Sequence, residues 1–279
     1  TVQANDADLP GVSLVYGIAV GGDGAKFAIN SSTGALSFIL SPNFEAPADA
    51  GANNVYDLTV TASDGTNTTS QVVSITITPV NEFSPVFTSL SSVSFAENGT
   101  GTVIDVNATD ADLPAQTLTF SITGGADAAK FAINASTGIV TFVSAPDFEN
   151  PTDVGGDNIY NLQVTASDGS LSSSQSIAVT VTAVNEFAPV FTSAVTANFA
   201  ENGSGTVLTV QATDADLPAA TLSYSITGGV DAAKFAINTS TGALTFVSSP
   251  NFEAPTDSGA NNVYNVQVTA SDGTNSTNQ

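Results

Sequence analysis

The stretch DADLP runs from Asp110 to Pro114, and it opens twice more, at Asp6 and at Asp214. Both intervals are 104 residues, from 6 to 110 and from 110 to 214. Each copy carries two carboxylates one residue apart. Two like charges about 4 Å apart cost about 1 kcal/mol in water and about 4 kcal/mol at an effective dielectric near 20. A chain that keeps such a pair at one place in every copy points to a positive partner there. The chain has little positive charge of its own to offer: 3 basic residues stand against 26 acidic ones, for a net charge of −23.

Outward from this stretch, nearly every segment shares the period. KFAIN opens at Lys26, Lys130 and Lys234, STG at Ser32, Ser136 and Ser240, and TASDG at Thr61, Thr165 and Thr269. NFE at Asn43 and Asn251 stands as DFE at Asp147; VNEF opens at Val80 and Val184, and FAENG at Phe95 and Phe199. A period this long is one whole domain per repeat rather than a solenoid turn. The expected repeats are 1–83, 84–187 and 188–279, the middle one complete. Residue 1 corresponds to residue 105, so the first copy is expected to lack a strand equivalent to Phe95–Ile104. Residue 279 corresponds to residue 175, so the last copy is expected to lack the strand equivalent to Ser176–Val184. This suggests a window of a longer repetitive chain, or a permuted unit that polymerises by donating strands to a neighbour.

Each repeat reads as all-β. In the middle one, NLQVTA alternates Leu162, Val164 and Ala166 inward, and IAVTV alternates Ile177, Val179 and Val181. Phe131/Ile133 and Val140/Phe142 flank the turn NASTG, a hairpin signal. Val103–Val106 and Leu118–Ile122 add two strands. About seven short strands per repeat, separated by Gly, Asn and Asp turns, predict tandem Greek-key β-sandwiches of the immunoglobulin-like type.

Composition excludes several functions. Without Arg or His, and with one Lys per repeat, a nucleic-acid partner is not expected, nor is an anionic membrane surface. No apolar run approaches the ~18 residues of a membrane helix, so this segment is not expected to insert. Without Cys there is no disulfide, zinc site or thiol nucleophile. Glu45 with Asp49, or Asp110 with Asp112, has the form of a glycosidase pair. Each pair is copied in every repeat with no supporting His or Arg, and the chain is read as a non-enzyme. The acid recurring at Asp49, Asp153 and Asp257, near Asp157 or its counterparts Asn53 and Asn261, is read as a solvated turn in preference to a further metal site.

Side chains two apart on an extended loop point the same way. Asp110 and Asp112 can therefore grip one divalent cation or bridge two, and calcium, which takes six to eight oxygen ligands, suits an all-oxygen donor set. Residues 84–187 hold eleven acids, and seven of them (Glu97, Asp110, Asp112, Asp147, Glu149, Asp168 and Glu186) sit at recurring motif positions, a concentration that randomly placed solvating acids would not show.

The repeat resembles the cadherin domain, particularly the cadherin-like repeats of large bacterial surface proteins. The motifs that carry the resemblance fall in order: FAENGTGTVIDVNATDADLP (95–114), FAINASTGIVTF (131–142), PDFEN (146–150), VTASDG (164–169) and VNEFAPVF (184–191). Pro79 and Ala183 replace the family's first linker Asp, Phe83 and Phe187 its last linker Asn, and Asn43 and Asn251 the aspartate of its L-D-R-E motif. An insertion, NPTDVGGDNIY, lengthens the loop before NLQVTA.

The resemblance implies calcium between consecutive repeats. The first junction would use Asn43, Glu45, Asn81, Glu82 and the Phe83 carbonyl with Asp110, Asp112 and Asp168. The second would use Glu97, Asp147, Glu149, Asn185, Glu186 and the Phe187 carbonyl with Asp214, Asp216 and Asp272. Asp6, Asp8 and Asp64 would face a preceding repeat, and Glu201, Asn251 and Glu253 a following one. The expected function is a calcium-stiffened stalk or filament segment of a bacterial extracellular or cell-surface protein. Its partners would be neighbouring repeats or like subunits, with a cell-surface or glycan ligand possible. A self-assembling strand-exchanged fibre and a directly adhesive module, homophilic or carbohydrate-binding, are the alternatives.

Overall fold

A computed structural model describes residues 1–8 and 11–279. The chain is all-β, with three single turns of 3-10 helix and no α-helix among the described residues. The first part carries β1 (Val15–Ile18), β2 (Phe27–Ile29), β3 (Leu36–Phe38), β4 (Val55–Ser63) and β5 (Thr68–Thr76). The middle part carries β6 (Val86–Phe87), β7 (Ser92–Ala96), β8 (Thr102–Asp105), β9 (Ala108–Thr109), β10 (Thr119–Gly124), β11 (Phe131–Ile133), β12 (Ile139–Phe142), β13 (Ile159–Ser167) and β14 (Ser172–Thr182). The last part carries β15 (Val190–Phe191), β16 (Thr206–Thr209), β17 (Ala212–Thr213), β18 (Ser223–Gly228), β19 (Phe235–Ile237), β20 (Ala243–Phe246), β21 (Gln267–Ser271) and β22 (Ser276–Asn278).

The middle part shows the whole architecture. One sheet runs β10-β13-β14-β7, with β7 parallel to β14. The other runs β11-β12-β8, and β6 pairs with β9. Taking β6 with β7, and β8 with β9, as interrupted single strands gives the seven expected. The first of these strands crosses from one sheet to the other, which closes the sandwich edge. The expected strand over Phe95–Ile104 is in fact the end of β7, a turn at Glu97–Gly101 and the start of β8. Asn98, at φ 60°, makes that turn. Asn is among the few non-Gly residues that enter the left-handed region readily.

The alternation read from sequence is the core. Tyr160, Leu162, Val164 and Ala166 of β13 and Ile177, Val179 and Val181 of β14 are buried together. Leu162 lies opposite Ile177, and Tyr160 opposite Val179. Fully burying each of the larger side chains contributes about 1.5–3 kcal/mol. Separate clusters form around Phe27, Tyr56, Leu58 and Val60, and around Val210, Tyr224, Phe235 and Leu244. The two sheets are bridged by aromatic contacts. Phe131 and Phe142 lie 4.5 Å apart, and Tyr160 meets Phe142 edge-on at 5.2 Å. The trio recurs as Phe27, Phe38 and Tyr56, and as Phe235, Phe246 and Tyr264.

The NASTG hairpin forms as expected. Asn134 Oδ1 accepts the N–H groups of Ser136 and Thr137 at 3.0 and 3.1 Å. Gly138 sits at φ 74°, where a Cβ would meet the Val106 carbonyl at 2.0 Å, so only glycine fits.

The inserted loop corrects one expectation. Asp49, Asp153 and Asp257 are not solvated; Asp153 is 8% exposed. Asp153 Oδ1 and Oδ2 each accept a backbone N–H at 3.1 Å, from Asn158 and Asp157. A tight loop leaves N–H groups pointing inward, and these must find acceptors. A second acid, which the sequence reading did not single out, holds the same loop from outside. Asp127, 3% exposed, accepts from Val154 at 2.7 Å and from Asn161 at 2.8 Å. Asp23 and Asp231 do the same in the other parts. The signal was available, since an acid recurs in GGDGAKF, GGADAAKF and GGVDAAKF.

Candidate metal centres at the repeat junctions

The DADLP loop follows β9, and the SDG turn follows β13. The sandwich brings these loops together at one end of the middle part. Carboxylate oxygens of Asp110, Asp112 and Asp168 lie within 4.8 Å of one another. Asp112 is 1% exposed, and its two oxygens accept the N–H groups of Glu82 and Phe83 at 3.2 and 3.1 Å. The linker is thus clamped to the repeat that follows it. Asp112 donates its own N–H to Asp110 Oδ1 at 2.9 Å, which shapes the loop.

Asp168 Oδ1 accepts from Ser170 and Leu171, both at 2.7 Å, while Oδ2 is buried with no partner. Burial works to raise the Asp168 carboxyl. The N–H groups of Leu171 and Ser170 and the Asn81 side chain outweigh it, and the group stays below the usual carboxylate range. Asn81 donates its amide to Gln116 Oε1 at 2.7 Å, leaving Asn81 Oδ1 buried and unpartnered. Glu45 reaches across from the first part to accept the Leu113 N–H at 3.3 Å. Asn43 is turned to its own loop, where Oδ1 accepts from Glu45 and Ala46 at 2.8 and 3.2 Å.

The second junction is built alike. Asp214, Asp216 and Asp272 meet within 4.8 Å, and so do Glu97, Asp147 and Glu149. Asp216 accepts from Glu186 at 3.1 Å and from Phe187 at 3.2 Å. Glu97, 3% exposed, accepts the N–H groups of Phe148 and Val184, both at 2.6 Å. Glu149 Oε1 accepts from Leu217 at 2.8 Å, and Asp147 caps Asn150 at 2.9 Å. Asn98 donates its amide to Glu186. Burial first, then the charges of Glu97, Glu149, Asp216 and Asp147, pushes the Glu186 carboxyl up. Asn185 Oδ1 accepts from the Asn275 amide at 2.7 Å.

At the outer ends, Asp6, Asp8 and Asp64 also meet within 4.8 Å. Glu201 accepts from Phe252 at 3.0 Å, as Glu97 does from Phe148, and Asn251 caps Glu253 and Ala254. Gln116 and Asn275, which orient the linker asparagines, were not anticipated. They lie outside the shared motifs, and Ala220 and Leu171 stand at the equivalent places.

The fit to a divalent cation is tested by the orphaned oxygens. Asn81 Oδ1, Asp110 Oδ2 and Asp168 Oδ2 at one junction are buried with no hydrogen-bond partner, as are Glu149 Oε2, Asp214 Oδ2 and Asp272 Oδ2 at the other. Oxygen-only donors, mostly anionic, are the chemistry of a hard cation.

A tandem all-β sandwich with acidic loops gathered where the units meet defines the class. The family model described as the cadherin domain matches residues 91–183 and 195–279, and the chain belongs to the cadherin family. It is 34% identical to the mouse cadherin EGF LAG seven-pass G-type receptor 3 over 97% of this chain and 8% of that protein. It is 29% identical to human protocadherin Fat 1 over 98% of this chain and 6% of that protein. The chain therefore spans only a small part of these relatives' length. Human CDH23 EC21-23 shares the fold at a TM-score of 0.69 and 21% identity, covering 96% of this chain and 88% of that one. The family places the chain outside the cell or at its surface. No helix among the described residues is long and apolar enough to cross a membrane. These relatives are mammalian, and they give the expected bacterial setting no support.

Proposed function

We propose that the chain is a non-enzymatic, calcium-stiffened stalk or filament segment of an extracellular adhesion protein, with ions held between repeats 1–83, 84–187 and 188–279. One observation carries this reading. The acids that meet at the junctions also present buried oxygens with nothing to bond. Leaving a buried acceptor unpaired costs about 1–3 kcal/mol, more for a charged one. A bound calcium ion supplies the missing positive charge.

Asp110, Asp112 and Asp168 hold the first junction from one side. Glu45, Asn81, Glu82 and the Phe83 carbonyl hold it from the other, with Asn43 ordering the Glu45 loop. Glu97, Asp147, Glu149, Asn185, Glu186 and the Phe187 carbonyl face Asp214, Asp216 and Asp272 at the second. Asp6, Asp8 and Asp64, and Glu201, Asn251 and Glu253, serve junctions with neighbouring repeats or like subunits. With the cation, residues of two repeats share ligands and the linker stiffens; without it, their carboxylates repel and the linker flexes.

The test is small-angle scattering with calcium and with excess chelator, at several protein concentrations. A long stiff particle that shortens or becomes flexible on chelation is expected. A shape indifferent to chelator overturns the reading, and mass that grows with concentration moves it to a self-assembling fibre.

A further inference from the structure

The two junctions carry the same acids in the DADLP and SDG loops but differ elsewhere: the second adds Glu97, and Asp147 where the first has Asn43, and two neutral side chains differ, Gln116 against Ala220 and Leu171 against Asn275. The turn after β13 reads SDGSL, ending at Leu171; the turn after β21 reads SDGTN, ending at Asn275. The Asn275 amide nitrogen donates to Asn185 Oδ1 at 2.7 Å and to the Phe187 carbonyl at 3.0 Å. Those are the two neutral oxygens that the linker offers. At the first junction Leu171 has no amide to give. Gln116 there takes the nitrogen end of the Asn81 amide at 2.7 Å, and Asn81 Oδ1 is left buried and unpartnered. The oxygens of the DADLP and SDG loops do not differ in this way, since Asp110 Oδ2 and Asp168 Oδ2 are orphaned at one site and Asp214 Oδ2 and Asp272 Oδ2 at the other, where Glu149 Oε2 is orphaned as well.

We propose that Asn275 is an affinity-setting residue: its amide already satisfies two ligand oxygens, so the Asp214/Asp216/Asp272 site takes a divalent cation more weakly than it would with a leucine there, as at Leu171. A cation entering the second site competes with two existing hydrogen bonds, whereas at the first it meets an empty acceptor. Exchanging one hydrogen-bond partner for another recovers only part of the gross interaction, so the difference is about tenfold in midpoint. Asn67, the counterpart in the first part, donates instead to a carboxylate oxygen of its own turn, Asp64 Oδ2, at 3.3 Å.

This rests on the calcium reading, and the experiment separates the two. Backbone amide signals of Gly169 and Gly273, one in each SDG turn, are followed by NMR on the full chain as calcium is added. In the unaltered protein both glycines are expected to move with calcium, each with its own midpoint. Asn275→Leu is expected to bring the Gly273 midpoint down about tenfold and leave Gly169 unmoved. The reciprocal Leu171→Asn is expected to raise the Gly169 midpoint. A Gly273 midpoint that stays put or rises in Asn275→Leu overturns the inference; a rise would make Asn275 a ligand through its own oxygen. Two glycines that both ignore calcium remove the calcium reading, and this inference with it.

Discussion

Glu149 accepts the backbone N–H of Leu217 at 2.8 Å, so a side chain of one repeat holds the DADLP loop of the next. Glu45 and Leu113 repeat the contact at 3.3 Å. The junction is therefore a shared structure before any ion is considered, and the same carboxylate that orders the loop has its other oxygen orphaned.

Removing that carboxylate separates the two roles. Glu149→Ala is expected to raise the calcium midpoint at Gly273 about tenfold or more, because an anionic ligand and a loop contact are lost together. Scattering at intermediate calcium is expected to show the flexible particle in this variant and the stiff one in the unaltered chain. An unchanged midpoint would show that Glu149 serves the loop alone.

Calcium should also appear as stability. A ligand that binds only the folded state adds about 2.7 kcal/mol at a concentration 100 times its dissociation constant. The Tm measured by calorimetry is expected to rise steadily with the logarithm of calcium concentration. Asp110→Asn is expected to blunt that rise and leave the chelated protein nearly unchanged. Asp112→Ala is expected to lower the Tm in chelator as well, because the N–H groups of Glu82 and Phe83 lose their acceptor.

In chelator, pH should act in two directions. Glu186 is raised from 4.5, chiefly by burial and then by its acidic neighbours. A carboxyl raised in the fold contributes stability that is present below its unfolded pKa and lost as pH rises through the folded one. Asp168 and Asp272 are lowered from 3.8, burial being outweighed by backbone and amide donors. Their contribution is present above the unfolded value and lost as pH falls through the folded one. The Tm of the chelated chain is therefore expected to rise slightly on acidification through the region just above 4.5, then to fall below 3.8. Glu186→Gln is expected to flatten the upper branch. A chelated Tm that only falls on acidification would contradict the repulsion assigned to Glu186.

The core acids should behave unlike the junction acids. Asp127→Ala leaves the N–H groups of Val154 and Asn161 without their acceptor, a loss of about 2–4 kcal/mol by chemical denaturation. Its calcium midpoint at Gly169 is expected to match that of the unaltered chain. A shifted midpoint would mean that the inserted loop and the junction are coupled.

Much of the fold was legible because its signals are local. The alternation in Leu162, Val164 and Ala166 and in Ile177, Val179 and Val181 needs only the two-residue period of a strand, and β13 and β14 bury those residues. The hairpin at NASTG was legible from its Asn and Gly. The turn at Asn98 was legible too, in Asn98-Gly99 and Gly101, but was read through as one strand; that the chain changes sheet there was not.

The site was legible in its chemistry more than in its wiring. The 104-residue recurrence of Asp110 and Asp112, the absence of His and Cys, and the excess of acid over base determined by themselves an oxygen-rich, strongly acidic surface on repeated β domains. Which acid does what was decided only by the tertiary structure. Asp112, Asp127 and Asp153 are the same short acid, yet one clamps a linker and two anchor a loop inside the domain. Asn275 looks like a turn residue until its amide is seen against Asn185 and Phe187. A carboxylate or an amide takes its role from the N–H groups and oxygens that face it. For Asp112 and Asn275 those groups belong to a linker tens of residues away, and for Asp127 to a loop of the same sandwich, brought close only when the chain folds.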